Sequence, residues 1–257
     1  MDREREPLPT HVRDTPTLPP AYDDALRHGL DALRLELDPA ARTAIDGHVR
    51  LLLAWTAAIN LTAIRDPADV ALGHVIDSLA AVAWVRKNRI DRLLDLGSGG
   101  GFPGVPIAAA LPDIRVVLLE PIAKKARFLA TSADAIGLAP RVTVVSARAE
   151  AVARDRHQRG RWPAVTARAV ASLADLVELA FPLLTDRGAL VAWKRGDIDR
   201  ELQAARLALA ALGGGSLDVA EVPVDGLAEH RLVVATRTGR VPAAFPRDPA
   251  VRRRRPW

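Results

Sequence analysis

"LLDLGSGGGFPGVP", Leu93 to Pro106, packs five glycines into eight positions directly behind a short apolar run that carries Asp95. Glycine loses more conformational entropy on folding than any other residue, so such a cluster is either a flexible linker or a loop whose backbone must approach something closely. The flanks decide between the two. From Arg92 onward, short apolar runs ("RLLDL", "RVVLLE", "RVTVV", "AVTARAV", "GALVAWK") alternate with helical patterns at 104–111, 121–136, 172–183 and 197–212. That alternation predicts βαβ units and a parallel sheet covered on both faces. The last two strand-like runs, "SLDVAEVPV" and "HRLVVATR", have no helical pattern between them and predict an antiparallel pair at one edge. The expected fold class is α/β, doubly wound and mostly parallel, with an antiparallel edge strand. A loop that leaves the first strand of such a sheet and opens a helix lies where open α/β folds bind nucleotide-like ligands. It is a cradle, not a linker.

Ahead of the sheet, residues 21–90 read as a small helical region. Asp38-Pro39 and Asp66-Pro67 each place an N-cap before proline at the first helical position. Between them Ile45, Val49, Leu52, Leu53, Trp55 and Ile59 fall near helical spacing. Residues 1–20 are rich in proline and charge and read as a disordered tail. Residues 91–240 form the ligand-binding domain, and 241–257, with Arg252 to Arg255, a basic tail.

Composition narrows the function classes. The chain is 49% hydrophobic and 26% charged, the balance of a soluble protein with a real core. No uninterrupted apolar run approaches 18 residues and no secretory pattern opens the chain, so a cytoplasmic protein with no membrane partner is expected. The absence of cysteine excludes disulfides, thiolate metal sites and a cysteine nucleophile, and no metal is expected. A net charge of +5 and a pI near 10.3 admit a polyanionic partner. Only four of the 36 basic residues are lysines, which together with abundant Ala and Leu reads as a GC-rich codon bias. Nothing in the chain demands a dimer, and a monomer is expected.

The ligand class follows from the loop's surroundings. Glu120 ends the second strand-like run about 20 residues beyond the loop, where a carboxylate accepts hydrogen bonds from ribose hydroxyls. An adenosine-bearing ligand is implied. "GGGFPG", Gly99 to Gly104, matches G-x-G-x-x-G, which keeps NAD as an alternative. Asp95, beside the first glycine, points elsewhere, because a carboxylate there repels a pyrophosphate and attracts an ammonium. The run D-x-G-x-G-x-G resembles motif I of class I methyltransferases that use S-adenosylmethionine (SAM), a cofactor with an α-amino group, a sulfonium and no phosphate.

The resemblance then narrows. "WTAAINLTAIRDPADVALGHVIDSLA" (Trp55 to Ala80), "LLDLGSGGGFPGVPIA", "LLEPIAKKARFL", "SARAE", "VTARAVASL" and "LVAWK" occur in the order found in the ribosomal RNA small-subunit methyltransferase G family, and "HRLVV" also fits. This resemblance implies a Rossmann-like SAM-methyltransferase fold and methylation at N7 of one guanine in the decoding-site loop region of 16S rRNA, on bare rRNA or the 30S subunit. It also implies SAM contacts at Gly97, Gly99 and Phe102 of the glycine loop, at Ala149 and Glu150 of "SARAE" for the adenine, and at Arg168 of "TARAV", which faces the methyl-transfer site. Glu120 and Asp95 join that set from the residues themselves. Asn60, His74, Asp77 and Lys194 are the candidates for contact with substrate RNA. Arg65, Lys124, Lys125 and Arg127 are candidates for its phosphates. The family commonly carries proline where this chain has Gly100, which leaves the backbone role of the loop intact.

The chemistry agrees with what the sequence lacks. Guanine N7 already presents an in-plane lone pair, so no general base is needed, and alignment in a dry site supplies most of the rate. Without cysteine the adduct route to C5-methylpyrimidines is closed, and the Asn/Asp-Pro-Pro-Tyr/Phe element of amino-group methyltransferases is absent. Arg168 is the candidate to hydrogen-bond guanine O6 while N7 stays free. A SAM-dependent enzyme acting on a small molecule and a SAM-binding regulatory protein are the competing classes.

Overall fold

The computed structural model describes residues 7–257. Its seven strands are β1 (Arg92–Leu96), β2 (Arg115–Leu119), β3 (Val142–Val145), β4 (Trp162–Arg168), β5 (Leu184–Arg195), β6 (Gly215–Glu221) and β7 (His230–Arg237). They form one sheet in the order β3-β2-β1-β4-β5-β7-β6. β1 to β5 are mutually parallel, and β7 runs antiparallel to both β5 and β6. The expected antiparallel pair is therefore present, with the reversed strand inserted one position inside the edge. Strand order reverses between β1 and β4, which opens a crevice at the carboxyl ends of the strands.

The pleat sends alternate residues to opposite faces. Leu93, Val116 and Leu118 join one core with the helical region, while Leu94, Leu96, Val165 and Ala167 join a second core on the other face. The helical region comprises α1 (Pro20–Leu33), α2 (Pro39–Ile59), α3 (67–79) and α4 (Val82–Lys87). Both proline-preceded caps form: Asp38 accepts from the Ala41 amide, and Asp66 from those of Ala68 and Asp69. Ile45, Val49, Leu52, Trp55 and Ile59 then line the buried stripe of α2. These helices share one continuous core with the sheet.

Inside α3, Ala71–Ile76 form a π-helical turn. The stretch Pro67–Lys87 is long and apolar enough to cross a membrane by composition, but Val70, Val75, Ile76, Leu79 and Val82 are buried in the protein's own core. Over the sheet lie α5 (Gly104–Ala110), α6 (Ala123–Ala135), α7 (Ala149–Arg154), α8 (Leu173–Ala180) and α9 (Asp199–Ala211); α10 (Pro249–Arg254) closes the chain.

Both tails pack on the rest of the protein among the described residues. The disorder expected over residues 1–20 does not extend through 7–19. The Trp55 indole donates to the Pro9 carbonyl at 2.8 Å and Arg50 Nε to the Pro16 carbonyl at 2.8 Å, while Leu8, Val12 and Leu18 pack on the core. Prolines supply acceptors and no amide donors, so an extended Pro-rich strap satisfies side-chain donors on α2 without needing a strand partner. Residues 1–6 lie outside the described residues. At the other end, the basic tail of 241–257 contains α10 and docks on the sheet domain, for reasons given below.

Candidate active site

At the crevice, the loops after β1, β2, β3 and β4 surround a cavity of about 660 Å³ whose wall includes Gly97, Pro121, Ala149, Glu150, Val170 and Ala171. Three of the residues expected to hold a cofactor, Gly97, Ala149 and Glu150, thus meet on one surface from two separate sequence blocks. Gly97 adopts φ +70°, and a Cβ there would meet Val170 Cγ2 at 2.7 Å. Ala169, just after Arg168, also takes φ +56°, a left-handed conformation that costs a non-glycine residue about 1–2 kcal/mol. This strained residue precedes Val170 where the chain leaves β4, and bare glycine backbone faces Val170 across the crevice.

Asp95 and Glu120 hold the loop from beneath. Asp95 is fully buried, accepting from Thr166 Oγ1 at 2.7 Å and from the Gly104 amide at 3.3 Å. Burial pushes its carboxyl up to about 6, against the pull of those hydrogen bonds. It was expected to receive a ligand ammonium. Its Oδ2 faces the Gly104 amide at the start of α5, on the same face of β1 as Leu93, and Asp95 does not line the cavity. Glu120 is 4% exposed, and its two oxygens accept from the Gly99 and Ile122 amides, each at 2.9 Å. In this structure it clamps the loop, and Gly99 at φ +54° is the residue clamped.

Sequence reasoning missed the third support. His48 of α2 is buried and lies across the loop, with Nε2 2.8 Å from the Gly100 carbonyl and Nδ1 2.7 Å from Ser132 Oγ. A carbonyl only accepts, so Nε2 carries the proton and Nδ1 accepts from Ser132. Burial pushes this imidazole down to about 4. A lone histidine on an apolar helix face gives no sequence signal of its own; only the fold brings it to Gly100.

Beside the cavity, Arg168 ends β4 and joins the sheet to α3. Nη1 donates to the Gly73 carbonyl at 2.9 Å and to Asp77 Oδ2 at 3.0 Å, and Nη2 lies 2.9 Å from His74 Nδ1. Burial first, then the Arg168 cation, push His74 down to about 4. His74 is therefore neutral, with Nδ1 accepting from Arg168 and Nε2 donating to Thr62 Oγ1 at 2.6 Å. Asp77, 1% exposed, also accepts from His230 Nδ1 at 2.9 Å, while its carbonyl takes the Trp193 indole at 2.7 Å. Phe102 lies under this cluster, its ring 4.8 Å from that of His74 and 5.4 Å from the Arg168 guanidinium. Arg168 keeps Nε–H and one Nη2–H without a protein acceptor among the described residues. His230 was missed as a partner although it stands in the "HRLVV" block.

The remaining candidates scatter. Lys194 pairs with Glu201 at 2.6 Å and donates to the carbonyl of cavity-lining Ala171 at 2.9 Å, so it braces the cavity lip. Asn60 ends α2 at φ +54°, the left-handed capping conformation that asparagine tolerates. Arg65, Lys124 and Arg127 are exposed, and Arg127 also lies 5.8 Å over Trp55. No group of three or more metal-ligating side chains is assembled among the described residues.

These residues fit the expected cofactor. The cavity lies within the ~300–1,000 Å³ range of small-molecule sites, with bare glycine backbone at one end and a carboxylate at the other. Residues 42–225 match the family described as rRNA small subunit methyltransferase G. The chain is 42% identical to the ribosomal RNA small subunit methyltransferase G of Roseiflexus castenholzii, over 80% of this chain and 87% of that protein. It is 38% identical to the protein of that name from Rubrobacter xylanophilus, over 91% and 90% respectively. Among solved structures, an O-methyltransferase from Bacillus cereus in complex with SAH shares the fold at 16% identity and a TM-score of 0.55, covering 74% of this chain and 91% of that one. A methyltransferase from Geobacter sulfurreducens does so at 18% and 0.52, covering 81% and 93%.

Proposed function

The chain belongs to the ribosomal RNA small-subunit methyltransferase G family, and from that premise we propose that it methylates N7 of one guanine in the decoding-site loop region of 16S rRNA. It is a SAM-dependent methyltransferase. The observation that carries the site assignment is the convergence of Gly97, Ala149 and Glu150 on one cavity at the point where strand order reverses.

SAM, when bound, supplies a methyl group on a cationic sulfur, open to in-line attack by a lone pair. Gly97 and Gly99 hold its methionine and ribose end through backbone, and Ala149 and Glu150 meet the adenine. Asp95 and Glu120 act through the loop that they hold. No side chain has to remove a proton, because N7 already carries its lone pair in the ring plane. His48 and His74 agree with this, being neutral and fully engaged in holding other groups. Arg168 offers its two unpaired N–H groups to guanine O6, which leaves N7 free, and Phe102 gives it a flat floor. Rate then comes from aligning N7, the methyl carbon and the sulfur. Asn60, with Arg65, Lys124, Lys125 and Arg127, meets the RNA around the target, and Lys194 supports the cavity lip beside it through Glu201 and Ala171. The enzyme acts as a monomer in the cytoplasm on 16S rRNA or the 30S subunit.

The deciding experiment is transfer of labelled methyl from SAM to 30S subunits and to bare 16S rRNA from cells lacking this protein. The product is mapped by borohydride reduction and aniline cleavage, which cuts at N7-methylguanine. A single cut in the decoding-site loop is expected. No incorporation into either substrate, by protein that still binds SAM, would sink the rRNA assignment.

A further inference from the structure

The cavity has a wall that no matched motif supplies. Pro249, Arg252, Arg253 and Pro256, from the chain's last nine residues, line it together with Gly97, Ala149 and Glu150. This stretch is not draped loosely. Glu178 of α8, 0% exposed, accepts from the backbone amide, Nε and Nη2 of Arg247 at 2.6, 3.0 and 2.6 Å, and from the Trp257 indole at 2.9 Å. The Arg247 guanidinium stacks 4.1 Å over the Trp257 ring, which packs on Phe245 at 6.1 Å. Arg247 Nη1 also donates to the Arg255 carbonyl at 2.9 Å. Both ends of the segment are thus clasped to one buried carboxylate, and α10 between them is held against the cavity.

From α10, Arg252 reaches inward, its side chain only 10% exposed, and pairs with Glu150; Asp175 Oδ1 lies 3.9 Å from Nη1. Its Nε–H is buried without an acceptor. The Glu178 end of the clasp is saturated, while Arg252 itself is tied to the cavity wall through Glu150. Charge gives the reason for this tie. Adenine is uncharged, and a carboxylate facing it in a partly dry pocket needs a counterion and a fixed rotamer. Arg252 supplies both and leaves one Glu150 oxygen to accept from a purine amino group.

We propose that residues 245–257 form the outer wall of the methyl-donor pocket, and that Arg252 is a positioning residue that holds Glu150 at its adenine end. The proposal rests on the pocket being the SAM site. Arg253, Arg254 and Arg255 take no part in the Glu150 contact.

The test is the affinity of the full chain for S-adenosylhomocysteine, measured by calorimetry. Arg252→Ala is expected to weaken binding about tenfold and to raise KM for SAM, with kcat on rRNA retained at saturating SAM. Arg252→Lys, which keeps the charge, is expected to recover part of the affinity. The Arg247–Glu178 clasp is untouched in both variants, so both are expected to fold. As a readout independent of substitution, bound S-adenosylhomocysteine is expected to slow tryptic cleavage at Arg252 to Arg254 in the unmodified protein. Affinity in Arg252→Ala within twofold of the parent, or tryptic cleavage indifferent to ligand, overturns the proposal. A parent protein that binds no S-adenosylhomocysteine overturns the pocket assignment as well, and so separates the two failures.

Discussion

Asp77 carries more of the site than its single charge suggests. One oxygen takes Arg168, the other takes His230, and the residue is 1% exposed. Removing one member of a buried pair leaves the other charge uncompensated, which typically costs about 3–5 kcal/mol. Asp77→Ala is therefore expected to lose stability on that scale in urea unfolding, and Asp77→Asn, which keeps an acceptor for Arg168, clearly less. A loss within error of zero for the alanine variant would mean that the guanidinium finds another partner. Arg168→Lys probes function rather than folding. Lysine keeps the charge but not the planar fork, so Gly73, Asp77 and His74 cannot be held together with an N–H left over for a base. Its expected signature is a fall in kcat for rRNA methylation of at least about tenfold, larger than any loss of S-adenosylhomocysteine affinity. Equal kcat would remove Arg168 from the reaction and leave it as a tether.

The glycine loop and α3 are the elements that make a site out of these residues. In the loop, Gly97 and Gly101 have φ +70° and +96°, and a Cβ on Gly101 would meet His48 Nε2 at 2.7 Å. Gly101→Ala is expected to dislodge His48 and cost about 1–3 kcal/mol from backbone strain and the lost carbonyl contact. Gly97→Ala presses instead on the wall residue Val170 and is expected to weaken S-adenosylhomocysteine binding with a smaller change in melting temperature. Equal ligand affinity in Gly97→Ala and the parent would take Gly97 off the cofactor wall. The strands, the glycine loop's position and both proline-preceded helix starts were legible in the sequence, because strand alternation, N-caps and tight turns are local patterns. The roles of Asp95 and Glu120 were not. Composition places a carboxylate at the end of β1 or β2, but only the pleat and the loop's amide directions decide whether it faces ligand or loop. The same limit hid His48, His230 and Arg252, whose partners lie 52, 153 and 102 residues away in the chain.

At the scale of the whole molecule, the helical region and the sheet domain meet through groups that respond to acid. His48 joins α2 to the loop and His74 joins α3 to β4; both are pushed down to about 4, while Asp95 under the loop is pushed up to about 6. Between the ordinary imidazole value of 6.5 and about 4, the unfolded chain binds protons on these histidines that the native protein refuses. Stability therefore falls as pH falls through that window. Asp95 acts in the opposite sense. Between about 6 and its ordinary value of 3.8, the native carboxyl holds a proton that the unfolded chain has released, so acidification there stabilises. Each group contributes up to about 1.4 kcal/mol per pH unit when its two states differ by one proton. The unfolded imidazoles are only half protonated at 6.5 and native Asp95 is half protonated at about 6, so the histidine effect builds as pH falls through 6 while Asp95 comes to offset about one of the two. Urea unfolding is thus expected to show a stability that is nearly level above about pH 7.5, falls most steeply between about pH 6 and 5 and declines more gently toward pH 4. In His48→Gln the initial stability is lower, because the Gly100 and Ser132 contacts are disturbed, and the slope between about pH 6 and 5 is well under half that of the parent, because Asp95 then offsets most of what His74 contributes. A parent protein equally stable at pH 7.5 and pH 5 would show that the two imidazoles accept protons in place. The joint between the helical region and the glycine loop would then be open to water, and the dry floor on which the site's chemistry depends would have to lie elsewhere.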